Sequence, residues 1–203
     1  EQTGVLGGLW NAAAIPLAKT EFATLVARQQ YQIKKFGIHV HYNQVLTKEL
    51  LEKENPDTIV VAIGGNPFIP PIKGLDNYVT ASDVLLGKSD VGAKVLIVGG
   101  GLVGAETAEY LGYHGVKVTL VEMLDKIAKD GEVAPNSFML QNLDKFGVDI
   151  YTSTSVDEIA KDIVKLKTPN GEVVLNNIDS IIVAAGFRPS HEADLLLNQY
   201  TGT

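Results

Sequence analysis

Residues 95 to 106 read VLIVGGGLVGAE, an apolar run that breaks into three consecutive glycines and resumes as a small-residue stretch. Val95 to Val98, entered from Lys94, has the continuous apolar character of a strand buried on both faces of a parallel sheet. The turn Gly99-Gly100-Gly101-Leu102-Val103-Gly104 has the spacing G-x-G-x-x-G. A helix is predicted over Ala105 to His114, where Ala105, Ala108 and Leu111 recur at helical spacing, and Gly115 is placed to end it. A second strand, Val116 to Val121, stops at Glu122.

Each part of this unit has a physical task. Gly99 permits the tight turn, Gly101 lets backbone approach a pyrophosphate, and Gly104 allows close packing of helix on strand. The N-terminus of the helix then offers free N–H groups and a positive dipole end to phosphates. Glu122 follows Gly104 by eighteen residues, the place from which a carboxylate accepts hydrogen bonds from an adenosine ribose. A lone G-x-G-x-x-G is a weak signal, but strand, turn, helix, strand and acid in that order form a strong one. The pattern reads as a Rossmann-like dinucleotide site. A carboxylate repels a 2′-phosphate, and Met123-Leu124-Asp125 bring no arginine, so NADH is favoured over NADPH; Lys126 is the nearby cation against that preference.

The bulk composition narrows the classes around this unit. At 203 residues, 45% hydrophobic and 20% charged, the chain can bury a proper core. Its net charge of −7 argues against nucleic acid or an acidic membrane surface as partner. With no cysteine, these residues supply no disulfide, thiol nucleophile or cysteine-ligated cluster. No apolar run approaches the roughly 18 residues that span a bilayer. The opening EQTGVLGGLW has neither Met nor a signal pattern, so the sequence is expected to be part of a longer protein.

An internal repeat accounts for the residues ahead of the glycine turn. Lys35-Phe36-Gly37-Ile38-His39-Val40 matches Lys145-Phe146-Gly147-Val148-Asp149-Ile150, each a helix ending at glycine before a strand. Thr58 to Pro67 (TIVVAIGGNP) matches Ser180 to Pro189 (SIIVAAGFRP), each a buried strand running into A-x-G-x-x-P. On a shared plan Glu1 is the counterpart of Glu122, and the first copy lacks its opening strand, glycine turn and helix. Residues 1 to 94 thus contain the back half of a second dinucleotide unit.

Between these landmarks, Thr20 to Phe36 is predicted as an amphipathic helix capped by Thr20, and residues 46 to 54 as a short helix. Asn66 to Gly74 is a proline-rich crossing and a candidate domain boundary. Ser82 is expected to cap a short helix, and Pro135 to Phe146 to form another amphipathic one. Residues 154 to 177 suggest a β-meander turned at Pro169-Asn170-Gly171.

Two dinucleotide units, one inserted in the other, resemble the two-domain flavoproteins of the pyridine-nucleotide disulfide oxidoreductase superfamily. Finer wording is similar to the C-terminal region of the Old Yellow Enzyme-like NADH:flavin oxidoreductases, the group of 2,4-dienoyl-CoA reductase, 2-enoate reductase and trimethylamine dehydrogenase. That wording is Leu6-Gly7-Gly8-Leu9, Ala14-Ile15-Pro16, Ile63 to Pro67 with Pro70 to Gly74, and Val121 to Ala128. The resemblance implies an NAD(H)-binding domain over 76–186, inserted in a partial FAD-binding domain over 1–75 and 187–203. It also implies a partner domain elsewhere in the same protein, an N-terminal barrel carrying FMN and an iron–sulfur cluster. Electrons would then pass from NADH to FAD, on to FMN, and to an enoate- or dienoyl-type substrate in the cytoplasm. Carried over by position, Glu1 takes the FAD ribose, Gly7 and Gly8 approach its pyrophosphate, and Ile63, Gly64 and Gly65 pass near the flavin. Gly99, Gly101, Leu102, Val103, Gly104, Glu122 and Met123 hold NADH, with Gly186 at the nicotinamide end. Glu106 either sits by the nicotinamide and flavin or is a helix-terminal charge favoured by the dipole.

These are binding residues; no side-chain acid or base acting on the final substrate is identified. His39, His41, His114 and His191 lack metal-ligand spacing, and Arg188 is either a cofactor contact or a loop charge. Without a cysteine pair, the disulfide-reducing branch of the superfamily is disfavoured. Two rival readings stand: an electron-input unit resembling the glutamate synthase small subunit, and a non-catalytic module holding ADP or NAD structurally.

Overall fold

A computed structural model describes residues 1–17, 19–129, 131 and 133–191. Its centre is a five-stranded sheet, parallel throughout. The strands stand in the order β2 (Val79–Thr80), β9 (Ser180–Val183), β3 (Lys94–Val98), β4 (Lys117–Val121), β5 (Asp149–Tyr151). Alternation along β3 explains the layers. Val95 and Ile97 face one side with Val118, Leu120 and Ile182, and pack under α4 (Ala81–Leu85), α5 (Leu102–Tyr113) and α6 (Val133–Lys145). Leu96 and Val98 face the other side with Val121, Ile181 and Val183. There they meet Ile159, Val164 and Leu166 of an antiparallel meander, β6 (Ser155–Ala160), β7 (Ile163–Thr168) and β8 (Gly171–Leu175). Burial on both faces is why β3 reads as an unbroken apolar run. The architecture is α/β in three layers, Rossmann-like, as the glycine turn predicts.

The remaining described helices are α1 (Leu9–Ala13), α2 (Glu21–Lys35) and α3 (Lys48–Glu54). Two short strands, β1 (Gly65–Pro67) and β10 (Phe187–Pro189), pair antiparallel. These are the corresponding ends of the repeat, and they meet about Asn66↔Arg188. The pairing is reciprocal: Phe68 N–H donates to Gly186 O at 2.8 Å, and Ser190 N–H donates to Gly64 O at 3.4 Å. A Cβ on Gly65 would lie 2.4 Å from Arg188 O, so the close approach requires glycine there. Arg188 also lies over the Phe68 ring, 4.2 Å from its centroid.

The repeat is written in hydrogen bonds as well as in letters. In the second copy Glu122 N–H donates to Tyr151 O, Thr154 N–H to Glu122 O, and Ser153 N–H to Leu124 O. In the first, the Glu1 N-terminus donates to His41 O, Gln44 N–H to Glu1 O, and Asn43 N–H to Thr3 O. Asn43 and Ser153 share a left-handed backbone, φ 53° and 50°. Both helices that precede these segments close on a left-handed glycine, Gly37 at φ 64° and Gly147 at φ 66°.

Several expectations need correction. Thr58 to Ile63 is not a buried strand: it pairs with nothing among the described residues, and Val60, Val61 and Ile63 are 85%, 45% and 50% exposed. Its counterpart β9 is buried because β2 and β3 flank it and layers cover both faces. Ile38 to Val40 likewise forms no strand, whereas in the matching Val148 to Ile150 both Asp149 and Ile150 belong to β5 and pair with β4. Thr20 is not a side-chain cap; its backbone is already helical and its hydroxyl makes no capping bond. Thr80, not Ser82, caps α4, because only Thr80 has the extended backbone that turns its hydroxyl onto Asp83 N–H. The helix after the glycines starts at Leu102, three residues earlier than expected, since Gly104 and Ala105 belong to its first turn. Of the 187–203 segment, residues 192–203 lie outside the described residues.

Candidate functional site

The site lies at the C-terminal ends of the parallel strands, where β3 gives way to α5. Gly99 adopts φ 104°, with its N–H donating to Val121 O at 2.9 Å. A Cβ there would stand 2.5 Å from Ala184 O, so the turn is closed against β9. Gly104 is tighter still, with an added Cβ 1.9 Å from Gly99 O. Gly101 differs: at φ −62° a Cβ is conformationally allowed and would meet nothing within 4 Å. Two glycines therefore serve packing, while the third leaves open space at the N-terminus of a 12-residue helix. The first N–H groups of that helix, including those of Leu102 and Val103, have no intrahelical acceptor.

Glu122 is fixed at the end of β4 by two backbone donors. Gly100 N–H donates to Oε2 at 2.6 Å, and Leu124 N–H donates to Oε1 at 2.7 Å. Each carboxylate oxygen keeps lone-pair capacity for a further donor. Gly100 is a residue that the motif spacing passes over. A Cβ at 100 would collide with Glu122 Cβ at 2.7 Å and Ile127 Cγ2 at 2.8 Å, so glycine is needed at that position too. Met123 beside it is 75% exposed.

Glu1 repeats this arrangement in the first copy. Its Oε1 accepts from Thr3 N–H at 2.9 Å and from Thr3 Oγ1 at 2.7 Å. The Thr3 N–H, then the Thr3 hydroxyl, hold the Glu1 carboxyl below its usual value. Gly7 and Gly8 both have positive φ, 119° and 49°. Gly7 is hemmed in by Asn11 and Val26, whereas Gly8 faces open space.

The two copies meet at Glu106, in the first turns of α5. Lys19 Nζ lies 2.5 Å from Glu106 Oε1, with the two side chains 26% and 12% exposed. Burial raises the Glu106 pKa, against the opposing pull of Lys19. Lys19 also lies 5.8 Å from the Phe22 ring, which packs edge-on against Trp10. No spacing in the sequence links Lys19 to Glu106; only the fold brings them together. Nearby, a recess of about 20 Å³ opens between Val103, Gly186, Phe187, Thr80 and Ser82. It has room for about one water-sized group. Ile63 and Gly64 precede β1, which Gly65 opens, and Pro67 at its end lines the recess.

Comparison with known proteins identifies the family. Residues 9–200 match the family model described as pyridine nucleotide-disulphide oxidoreductase. Bilirubin reductase of Mediterraneibacter gnavus is 32% identical over 192 residues, 94% of this chain and 30% of that protein. Cinnamate reductase of Clostridium sporogenes is 35% identical over 190 residues, 92% of this chain and 28% of that protein. Among solved structures, a 2-naphthoyl-CoA reductase superposes with a TM-score of 0.90 at 27% identity, over 97% of this chain and 30% of that one. The chain thus spans under a third of the length of these relatives. It belongs to the pyridine nucleotide-disulphide oxidoreductase family, in the nucleotide-binding region that resembles that of the Old Yellow Enzyme-like NADH:flavin oxidoreductases.

Proposed function

We propose that this chain is the nucleotide-binding part of an NADH-dependent flavin oxidoreductase, with residues 76–186 binding NAD(H) and residues 1–75 and 187–203 contributing part of an FAD domain. One observation carries the reading: Glu122 is held by two backbone N–H groups beside a glycine turn whose Gly101 faces open space. When bound, NADH and FAD supply the hydride donor and acceptor, and the protein supplies position and electrostatics. Glu122 accepts from the adenosine ribose, and the Leu102 and Val103 amides take the pyrophosphate. Glu106, paired with Lys19, borders the nicotinamide near Gly186. On the other side Glu1 takes the FAD ribose, Gly7 and Gly8 its pyrophosphate, and Ile63 to Gly65 pass the flavin. The matched geometry of Glu1 and Glu122 supports that assignment.

The relatives' greater length supports a further region of the protein, an N-terminal barrel with FMN and an iron–sulfur cluster, and we place the reaction in the cytoplasm. The names cinnamate reductase and 2-naphthoyl-CoA reductase support an unsaturated acid or acyl-CoA as final electron acceptor.

A second reading, a module that holds only an ADP moiety, is favoured by the small recess at the nicotinamide end. Titration of the protein with NADH, NADPH and ADP separates the two. Hydride transfer predicts NADH bound more tightly than both. Equal binding of ADP and NADH would favour the structural module instead.

A further inference from the structure

The recess beside Val103 and Gly186 has a one-sided polar character. Nine residues line it, and only Thr80 and Ser82 among them carry polar side-chain atoms. The Thr80 proton is committed. Its hydroxyl donates to Asp83 Oδ2 at 2.6 Å and accepts from Asp83 N–H at 3.2 Å. The Asp83 carboxylate has no proton to give, so the single Thr80 proton goes there. In the 3.1 Å contact between the Thr80 and Ser82 hydroxyls, Ser82 is therefore the donor. The one Ser82 proton is then engaged with Thr80, and its oxygen keeps acceptor capacity. The recess thus presents an acceptor, in a space for about one small polar group, walled by Val103, Val183, Ala184 and Phe187.

We propose that Ser82 accepts a hydrogen bond from the carboxamide N–H of a bound nicotinamide and so selects ligands whose ring carries an amide. This rests on the NADH reading above and names the group that orients the ring at that site. A recess with room for about one water-sized group excludes the ring itself but takes the NH₂ end of its exocyclic amide, leaving the ring over Val103. A carboxylate in that position would face lone pairs only, and a methyl ketone would leave Ser82 without a donor.

The test is titration of the protein with NAD⁺, with ADP, and with 3-acetylpyridine adenine dinucleotide, which replaces the amide NH₂ by CH₃. Binding is followed by calorimetry or by fluorescence of Trp10, the chain's one tryptophan. The expected preference for NAD⁺ over the acetyl analogue is about three- to tenfold, one hydrogen bond's worth. Ser82→Ala brings that ratio to about one by weakening NAD⁺, Ser82→Thr preserves it, and ADP affinity is the same in all three proteins. An unchanged ratio in Ser82→Ala, or a ratio near one in the unsubstituted protein, overturns the proposal. NAD⁺ bound no more tightly than ADP overturns the underlying reading and the proposal with it.

Discussion

Lys19 and Glu106, far apart in the chain, form an ion pair of 2.5 Å that ties the loop before α2 to the first turns of α5. Burial, the largest influence, holds Glu106 above its usual value of 4.5; Lys19 pulls it down, and Glu109 adds to the rise. For a carboxyl whose folded-state pKa is raised, the contribution to stability is present below the unfolded value and lost as pH rises through the folded one. Lys19→Met removes the lowering partner, so the Glu106 pKa climbs further and the loss deepens. We expect this variant to cost about 1–3 kcal/mol at pH 7 and less at pH 4. Adding Glu106→Gln should recover part of the loss at pH 7. Urea unfolding at the two pH values measures both effects, and equal costs at pH 4 and 7 would refute the coupling.

The glycines of the turn separate folding from binding. Gly104→Ala places a methyl 1.9 Å from Gly99 O, and a helix and a strand of the core cannot both hold their places. A destabilisation on the order of 2–4 kcal/mol is expected. Gly101→Ala meets nothing within 4 Å. It should melt within a few degrees of the parent yet lose most of its NADH affinity, because the methyl occupies the space assigned to pyrophosphate. Thermal melts and NADH titrations on the two proteins give the contrast; normal NADH binding by the Gly101→Ala protein would contradict the placement.

Glu122→Ala removes the acceptor of Gly100 N–H and Leu124 N–H. NADH affinity should fall about tenfold. NADPH affinity should fall less or rise, since a repelling carboxylate is gone. The NADH to NADPH affinity ratio is the quantity to follow, and a ratio that does not move would count against Glu122 as the ribose ligand.

Glu158 anchors the meander to the proline-rich crossing. Its carboxyl pairs with Lys165 at 2.8 Å and with Lys73, which together hold its pKa down at about 2. A lowered carboxyl contributes stability above its unfolded value of 4.5 that disappears as pH falls through about 2. A carbon-13 titration should place the Glu158 midpoint near 2, and Lys165→Met should raise it more than Lys73→Met, following the order of the two influences. A midpoint at the ordinary value would mean that neither pair persists in solution.

Much of this was legible in the sequence because the signals were local. Val95 to Val98 reads as a doubly buried strand, and it is one because β4 and β9 flank it and packed layers cover both faces. Gly99 to Glu122 reads as a unit because each spacing is set within one strand–helix–strand element. The repeat was legible too, and Gly37 and Gly147 share their backbone geometry. Like sequence does not bring like burial. Thr58 to Ile63 has the letters of β9 and none of its neighbours, and a strand is buried by what pairs with it, not by its own side chains. Lys19, Gly100 and Thr80 are not legible in the sequence for a related reason. Each acts through a contact that spacing alone does not reveal: an ion pair across the fold, a missing Cβ against Glu122, and a hydroxyl one residue ahead of its helix.

The central claim is that the turn from Gly99 to Glu122 binds NADH, and amide NMR of the labelled protein during an NADH titration tests it most directly. The account predicts that the largest shifts fall on the amides of Gly100 to Gly104, on Met123 and Leu124, and on Gly186. Saturable binding with those amides unmoved, and the shifts gathered elsewhere, would contradict it.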